Sequence, residues 1–499
     1  MQFNSTTFIF FLVAVYFVYW TIARIDFARL WFLLVASCAF YMSWNAKIIL
    51  LLLFTALIDY YVALGLARTK KIGWRRALVG VTLVSNLSVL AFFKYAEWFW
   101  ENLDAVLRWA GWIQDPLPAL SAAIGISTFW NSALTTGSGR ILLPAGISFY
   151  TFQTLSYTID VYRGTLAPSR SFTKFFLFIT FFPQLVAGPI VRASEFLPQL
   201  EVPPRHDDRR ALTGLLQVLK GLFKKVALAD TIGELVVDPI FAAPEAFGSW
   251  GVVVGTTGAW FQYYLDFSAY SDIAIGAAAM FGFVLPMNFN RPFLSQSIGE
   301  FWRRWHMTLS SWFKDYIFMP LGGRSGGWLR SFSVLVGTLL LSGLWHGAGW
   351  NYLIFLGTMG VFIWIGSVCF RRRSPEERAA RPLWLRFTHR AITFVLLDFL
   401  MIFFRNGTVA EGKHGLAGSM EMIRILFGYV PSTAQLSVIG LSTIGLAALI
   451  HFTPQDWYKR LELRWLSMPS YAQALVLVLF TGLLGALSYQ QRPFVYFQF

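Results

Sequence analysis

A chain of 499 residues that is 56% hydrophobic and only 13% charged carries about half the charge of a soluble domain, which excludes an ordinary water-soluble enzyme. In a soluble protein a formal charge of +15 would point to nucleic acid. Here the basic residues gather in short loops between apolar runs, so the excess of Lys and Arg in cytoplasmic loops accounts for the charge and no nucleic-acid partner is expected.

In chain order, apolar runs occupy 7–23, 28–44, 48–66, 77–100, 172–190, 331–345, 349–370, 386–405, 434–451 and 470–489, and two more are expected within 248–286. Each is near the length that crosses a ~30 Å hydrocarbon layer, and none alternates as a barrel strand would. The expected fold is all-α and polytopic, with about ten to twelve crossings. The first run has no basic segment before it and no small-residue cleavage site after it, so it reads as a retained span rather than a signal peptide. Cys38 and Cys369 lie far apart inside apolar runs and read as buried structural thiols.

RTKKIGWRR at 68–76 and RRRSPEERAARP at 371–382 mark cytoplasmic loops, whereas 101–140, with three acids and two bases, reads as external. Counting spans from these loops places both termini outside. The middle does not count evenly. Both 163–174 and 205–225 are basic, and a single span at 172–190 cannot put them on one side. One segment of 115–240 is therefore expected to be re-entrant or interfacial, a state tolerated only against protein or a water-filled cavity. The chain shows no internal repeat and no soluble insert long enough to be an enzyme domain. Residues 1–499 read as one integral-membrane domain.

Asp160, Asp266, Asp272, Asp398 and Lys94 lie in or beside apolar runs, where ionisable groups are costly and functional by default. For Asp59, Lys94 and Asp398 a paired contact between helices is the plainer reading. YYLDFSAYSDIAIG at 263–276 is denser. Asp266, Ser268, Tyr270, Ser271 and Asp272 fall within seven residues, and Asp266 and Tyr270 share a helix face. A substrate-contacting, water-lined wall and a structural hydrogen-bond network predict the same pattern, and both stay open. Next, 291–330 interleaves basic and aromatic residues. Trp302, Trp305, Phe313 and Tyr316 are expected to anchor interfacial helices at headgroup level. Arg303, Arg304, Lys314, Arg324 and Arg330 form a basic rim that would either attract a phosphate-bearing donor, coenzyme A or a carrier's phosphopantetheine, or hold anionic lipid. The PLGGRSGG turn lacks the GK[ST] of a Walker loop.

Two histidines stand apart, His306 in WRRWH and His346 in GLWHGAGWNYL, a polar break between two apolar runs. Two lone histidines do not make a metal site, and no bound metal or cofactor is expected. Gly343 and Gly347 fit a GxxxG packing motif, which leaves the histidine between them unexplained. A general base for acyl transfer from a thioester to a hydroxyl explains it. Burial keeps the imidazole neutral, glycines allow close approach, Trp345 and Trp350 would wall a dry site, and Asn351 is a candidate contact beside them. A transporter of an acylated intermediate would need a similar cavity and broken helices, and a scaffold of a secretion complex is a third reading.

LPAGISFYTFQTLSYTIDVYRG (143–164), FFPQLVAGPIVRASEFLPQL (181–200), YLDFSAYSDIAIG (264–276), LPMNFNRPF (285–293), EFWRRWHMTLSSWFKDYIFMPLGG (300–323), SGLWHGAGWNYLIF (342–355) and the closing FVYFQF resemble the membrane-bound O-acyltransferases. The likeness is strongest to the bacterial branch that serves polysaccharide O-acetylation, as in alginate biosynthesis, and its core runs over about 143–355. The resemblance implies a ring of tilted helices around a central tunnel, with His346 catalytic and His306 the second characteristic polar residue. It also implies acetyl-CoA or an acyl carrier as donor, residence in the bacterial inner membrane, and a separate periplasmic SGNH-type O-acetyltransferase and other secretion proteins as partners. The D-alanyl transfer branch of the same family carries a similar HMTLS run. Relatives commonly place a further histidine where this chain has Met359, which implies that the extra histidine is dispensable or that the substrate differs.

Overall fold

The computed structural model describes residues 1–118, 120, 141–323, 325–369, 376–377, 380–407, 415–487 and 492–494. The elements described are helices, as expected, and they form two compact units. The first holds Met1, Thr6–His206 and Phe281–Leu285; the second holds Gln2–Ser5, Asp207–Met280 and Pro286–Phe499.

In the first unit, α1 (Thr6–Ile22), α2 (Asp26–Met42) and α3 (Ile49–Arg68) follow the first three apolar runs closely, α4 (Ile72–Trp109) extends beyond the run at 77–100, α5 (Ile147–Arg163) and α7 (Ala193–Glu201) fall outside the runs, and α6 (Phe172–Thr180) carries only part of 172–190. That run is not one span. Helix α6 stops after nine residues, and 181–191 continues as non-helical backbone with every residue buried. Protein groups replace the missing helical bonds. Ser37 Oγ accepts from the Phe182 amide at 3.2 Å, and Gln184 Nε2 donates to the Phe178 carbonyl at 2.6 Å, as irregular backbone in an apolar surround requires. Asp59 is fully buried and accepts from Asn86 Nδ2 at 3.1 and 3.0 Å, while Thr154 donates to Asn86 Oδ1 at 3.2 Å. The acid thus links α3, α4 and α5. Lys94 reaches Ser148 Oγ at 3.4 Å.

The second unit is organised around one long helix. Helix α8 (Asp208–Phe223) starts at Asp207, whose side chain accepts from the Arg210 amide. It runs on to Ala242 through two π-helical stretches, Lys224–Ala229 and Gly233–Val237. Helix α9 (Pro244–Met280) follows, kinked at Gly248 with φ 64°. A Cβ there would stand 2.4 Å from the Val430 carbonyl oxygen, so only glycine lets the two segments meet. The two spans expected within 248–286 are therefore one helix. Its polar centre does not break it, because α8 and its continuation neutralise the acids. Lys225 Nζ lies 2.6 Å from Asp266 and 2.8 Å from Asp230, and Asp272 takes Lys224 at 2.7 Å and Lys220 at 3.1 Å.

After a short helix Ile298–Phe301 come α10 (Met307–Phe313), α11 (Trp328–His346), α12 (Trp350–Cys369), α13 (Leu383–Asn406), α14 (Gly415–Phe427), α15 (Val438–Phe452), α16 (Gln455–Ser467) and α17 (Ser470–Leu487). Asp398 of α13 accepts from Thr256 and Thr257 of α9 at 2.8 and 3.2 Å, and Trp260 Nε1 donates to the Leu397 carbonyl at 2.9 Å. The paired-contact reading of Asp398 matches this geometry.

Five described helices are long and apolar enough to cross a membrane, or six if the bent pair α15–α16 is one span. The number is below ten to twelve because several apolar runs are carried by helices of 17 residues or fewer, such as α1 and α2, or by broken backbone, as at 172–190.

Lys225 is fully enclosed, and its removal would leave two acids buried without their shared cation, which costs about 3–5 kcal/mol. Lys225→Ala is expected to lower the melting temperature of the detergent-solubilised protein markedly, with Lys225→Arg recovering part of the loss. Equal melting temperatures for wild type and Lys225→Ala would show that the clamp contributes nothing to stability.

Candidate functional site

His346 is the last residue of α11. The helix ends there because Gly347 turns extended, with φ −169° and ψ 154°. The flanking glycines serve packing. A Cβ at Gly343 would lie 2.7 Å from the Tyr352 carbonyl oxygen, and one at Gly347 would lie 2.1 Å from the Tyr352 ring. Both make room for the first turn of α12, as a small-xxx-small seam does, and the turn holds His346 buried at 4% exposure. Trp345 is buried in ring contact with both histidines. Its ring centroid is 5.0 Å from that of His346 and 5.8 Å from that of His306.

His306 is fully buried and adopts φ 41°, ψ 56° at the start of α10. A side-chain-bearing residue in the left-handed region is disfavoured by about 1–2 kcal/mol, so its surroundings must hold it. A backbone pair does so: Met307 N–H donates to the Asn288 carbonyl at 2.9 Å, and Asn290 N–H donates to the Arg304 carbonyl at 2.8 Å. The Asn288 side chain fixes the ring. Its Oδ1 lies 3.0 Å from His306 Nδ1 and accepts from Thr308 Oγ1 at 2.9 Å and from the Thr308 amide at 3.4 Å. Its Nδ2 donates to Ser271 Oγ at 3.2 Å. Because the Thr308 amide can only donate, the atom facing it is the oxygen, and Nδ1 of His306 must carry the proton. Nε2 then holds the lone pair. Burial, with a smaller push from His346, lowers the His306 pKa well below the ordinary imidazole value, so the ring is neutral.

Next to His346 is an apolar cavity of about 20 Å³. Helix α9 gives it Trp260, Tyr263 and Phe267; the segment before α10 gives Phe301, Trp302 and Trp305; α12 gives Phe355; α13 gives Met401 and Phe404. Phe267 also sets its ring edge-on to His306, 4.7 Å between centroids. The wall therefore pairs one imidazole with nine other side chains that carry no ionised group.

Several expected site residues lie elsewhere. Asp266 and Asp272 are held in the lysine clamps described above, and Tyr270 packs its ring between Phe3 at 4.4 Å and Phe494 at 4.9 Å. Of the polar stretch, Ser271 reaches the histidines, through Asn288. Asn351 gives its Nδ2 to the Phe403 and Gly415 carbonyls and to Ser419 Oγ at 2.9–3.1 Å, tying α12 to α13 and α14. Trp350, expected as a wall, is 52% exposed. Trp305, Phe313 and Tyr316 are buried inside the protein rather than set outward as headgroup anchors, and Trp302 lines the cavity. Trp305 turns inward against Trp260 and Tyr264 of α9, while Phe313 and Tyr316 pack on Trp312. Of the basic rim, Arg303, Lys314 and Arg330 are exposed. Arg304 is committed to Glu300 at 2.9 Å and to the Asn290 carbonyl, and Arg324 lies outside the described residues. Met359, at the position of the relatives' further histidine, is fully buried in the apolar core of the second unit. Among the described residues no group of three or more His, Cys, Asp and Glu side chains could hold a metal ion. Asn288, Thr308, Phe267 and Met401 were not singled out from sequence. The NFN triplet at 288–290 was visible, but nothing local marks its asparagine as a partner for a histidine 18 residues on.

Comparison with known proteins agrees with this architecture. The family profile described as "MBOAT, membrane-bound O-acyltransferase family" matches residues 166–404. A probable alginate O-acetylase AlgI of Pseudomonas putida is 33% identical over the full length of both chains. A peptidoglycan O-acetyltransferase of Helicobacter pylori is 31% identical over 85% of this chain and 80% of its own. A teichoic acid D-alanyltransferase of Streptococcus thermophilus is 29% identical over 53% of this chain and 69% of its own. The chain belongs to the membrane-bound O-acyltransferase family and is a multi-pass O-acyltransferase.

Proposed function

We propose that this protein takes an acetyl group from a cytoplasmic thioester, acetyl-CoA or an acetylated carrier, and passes it across the bacterial inner membrane for O-acetylation of an extracytoplasmic polysaccharide such as alginate. The observation that carries the reading is the placement of His346 on the wall of an apolar, aromatic cavity, with Trp345 in ring contact with both it and a second buried histidine, His306. The names of these two relatives support acetyl as the group and a cell-envelope polymer as its destination.

In this reading His346 is the general base. It takes the proton of the acceptor hydroxyl as the oxygen attacks the thioester carbonyl. The carbon–sulfur bond then breaks, and the thiolate leaves with the proton returned by the imidazolium. One ester and one thiol result, so the histidine is regenerated. A neutral imidazole in a water-poor site suits this work, because it accepts a proton and does not offer water as a competing nucleophile. Asn288 and the left-handed turn position His306 so that its Nε2 lone pair assists. Trp345 separates and orients the two rings. The acceptor is either a serine of a periplasmic SGNH-type partner or a sugar hydroxyl. The exposed Arg303, Lys314 and Arg330 would draw in the donor's phosphates, and the N-terminus lies outside.

Removing a general base costs a factor of about 10²–10⁴ in rate. His346→Ala is therefore expected to insert and melt as wild type while polymer acetylation in cells falls by that factor. Normal acetylation by this variant would remove the central assignment. His306→Ala is expected to be severely impaired as well.

Sidedness is checked by labelling engineered cysteines in a background with Cys38 and Cys369 replaced by serine. Positions in 68–76 and 371–382 should react only from the cytoplasm, and those in 101–140 only from outside; the reverse pattern would place the donor on the wrong face.

Exposed charges act mainly through encounter and weak affinity, both reduced by salt. Lys314→Gln with Arg330→Gln should raise the KM for the donor more than it lowers kcat. An unchanged KM in nanodiscs of neutral and of anionic lipid would assign these side chains to lipid alone.

A further inference from the structure

We infer that the junction where residues 290–294 join the start of α13 to the end of α15, carrying Arg291, Arg386 and Arg390, binds the phosphate of an anionic membrane phospholipid. The site is apart from His306 and His346, and the inference does not depend on their role in acyl transfer.

The junction is built by guanidinium groups that hold backbone carbonyls. Arg291 adopts φ 48°, ψ 64° just before the 3-10 turn Pro292–Leu294, a left-handed conformation that a residue with a side chain keeps only where its surroundings enforce it. Its Nε donates to the His451 carbonyl of α15 at 3.1 Å. From the other side, Arg390 Nε donates to the Leu294 carbonyl at 3.1 Å. Phe293 sets its ring against Phe394 of α13 at 5.6 Å and against His451 at 5.0 Å. In Arg291 and Arg390 the Nε is thus spent, and the two terminal nitrogens are left for another acceptor. Arg386 lies one turn before Arg390 on the same face of α13, and its Nε is buried without a partner among the described residues.

Charge gives the chemistry of that acceptor. Arg386, Arg304 and Arg291 all act electrostatically on Arg390, so four like charges share one junction. The acid near them, Glu300, is committed to Arg304, whose Nε and Nη2 reach its Oε1 at 3.0 and 2.9 Å. Three charges are left without a carboxylate partner among the described residues. Guanidinium forks match phosphate oxygens, two donors to two acceptors, and a phosphate offsets the repulsion among them. His451 adds a further polar group. It is 5% exposed, and neither of its ring nitrogens has a partner among the described residues; a buried polar group in that state calls for a bound molecule.

Position decides for lipid. Helix α13 is long and apolar enough to cross a membrane, and its first turns expose Leu383, Trp384 and Phe387 beside Arg386 and Arg390. Helix α16 leaves α15 at 89° and exposes Trp457 and Leu461 together with Lys459, Arg460 and Arg464. Tryptophan beside basic residues at the end of a span, and a basic amphipathic helix at right angles to one, both belong at headgroup level. The arginines therefore stand at the depth of lipid phosphates, where basic pockets between helices suit anionic headgroups. A phosphate on a soluble donor fits the same forks but gives no reason for the outward apolar side chains on both sides of them.

The test uses the full-length protein in neutral detergent and reads bound lipid by native mass spectrometry, alongside the melting temperature. Phosphatidylglycerol, phosphatidylcholine with the same acyl chains, inorganic phosphate and acetyl-CoA are added separately. Phosphatidylglycerol is expected to bind and to raise the melting temperature, with phosphatidylcholine weaker by about ten-fold or more. One basic residue near an anionic headgroup contributes a factor of about five in affinity. Arg386→Gln with Arg390→Gln should therefore weaken phosphatidylglycerol binding by about ten-fold or more, and Arg386→Gln alone by about five-fold. Lys459→Gln with Arg460→Gln, on the exposed face of α16, should weaken it by less than the arginine pair does. If the double arginine variant does not fold, Arg386→Gln decides, since Arg386 holds no carbonyl among the described residues. Equal binding of the two lipids, an equal loss from the α16 pair, or an unchanged affinity in Arg386→Gln overturns the inference. Displacement of phosphatidylglycerol from wild type by acetyl-CoA or by inorganic phosphate assigns the arginines to a soluble phosphate and overturns it as well.

Discussion

A charge that enters an apolar interior has to be met there by an opposite charge, and in the second unit this requirement fixes where α9 lies. Its acids, Asp266 and Asp272, are met by Lys225 and by Lys220 with Lys224, all presented by α8 and its π-helical continuation. Lys224 and Lys225 open the first π-helical stretch and, though adjacent, serve acids six positions apart. Lys225 also donates to Asp230 and to the Pro493 carbonyl, so the same cation ties Pro493 to the continuation of α8. Without this matching the polar centre of α9 would have to face water or break. With it, α9 runs as one helix and turns Trp260, Tyr263 and Phe267 toward the histidines.

The histidine pair depends on that scaffold at one remove. Ser271, one residue before the clamped Asp272, accepts from Asn288, and Asn288 holds His306 in its tautomer. The strain of the left-handed His306 is sustained by two backbone hydrogen bonds between 288–290 and 304–307. Strained residues persist where surrounding structure over-determines them, and such places are often functional. His346 is held in a different way, at the end of α11, by glycines that let Tyr352 close over the turn. Two independent devices therefore hold the two histidines that both meet Trp345. Rings rather than polar groups complete the wall of the cavity beside His346, which leaves acid–base chemistry to imidazole.

Much of this was legible in the sequence. The apolar runs located the long apolar helices such as α3, α11, α12 and α13 to within a few residues, since length and hydropathy are local properties. His306 and His346 were legible because an imidazole in an apolar run is costly and so stands out. What the sequence left open has a common cause. A buried polar residue such as Asp266, Asp272 or Asn351 looks the same in sequence whether its partner is a ligand or another helix. Their partners, lysines more than 40 residues away and carbonyls of α13 and α14, are set by packing. Trp305, Phe313 and Tyr316 resembled headgroup anchors for a similar reason: aromatic residues beside arginines suit an interface and a core equally.

What the sequence by itself determined is the class: hydrocarbon-crossing helices, a helical architecture, a polar break at His346, and the motif order that marks the family. Those follow from composition, period and local motif, which need no knowledge of neighbours. The tertiary structure alone decided that 172–190 is a helix followed by buried irregular chain, that α9 does not break at its polar centre, that Asn288 governs His306, and that Met401, Phe355 and the α9 rings meet His346 around one apolar cavity. Each of these depends on which distant side chain meets which. A polar or aromatic residue declares its cost locally, but what offsets that cost is chosen only when the helices pack.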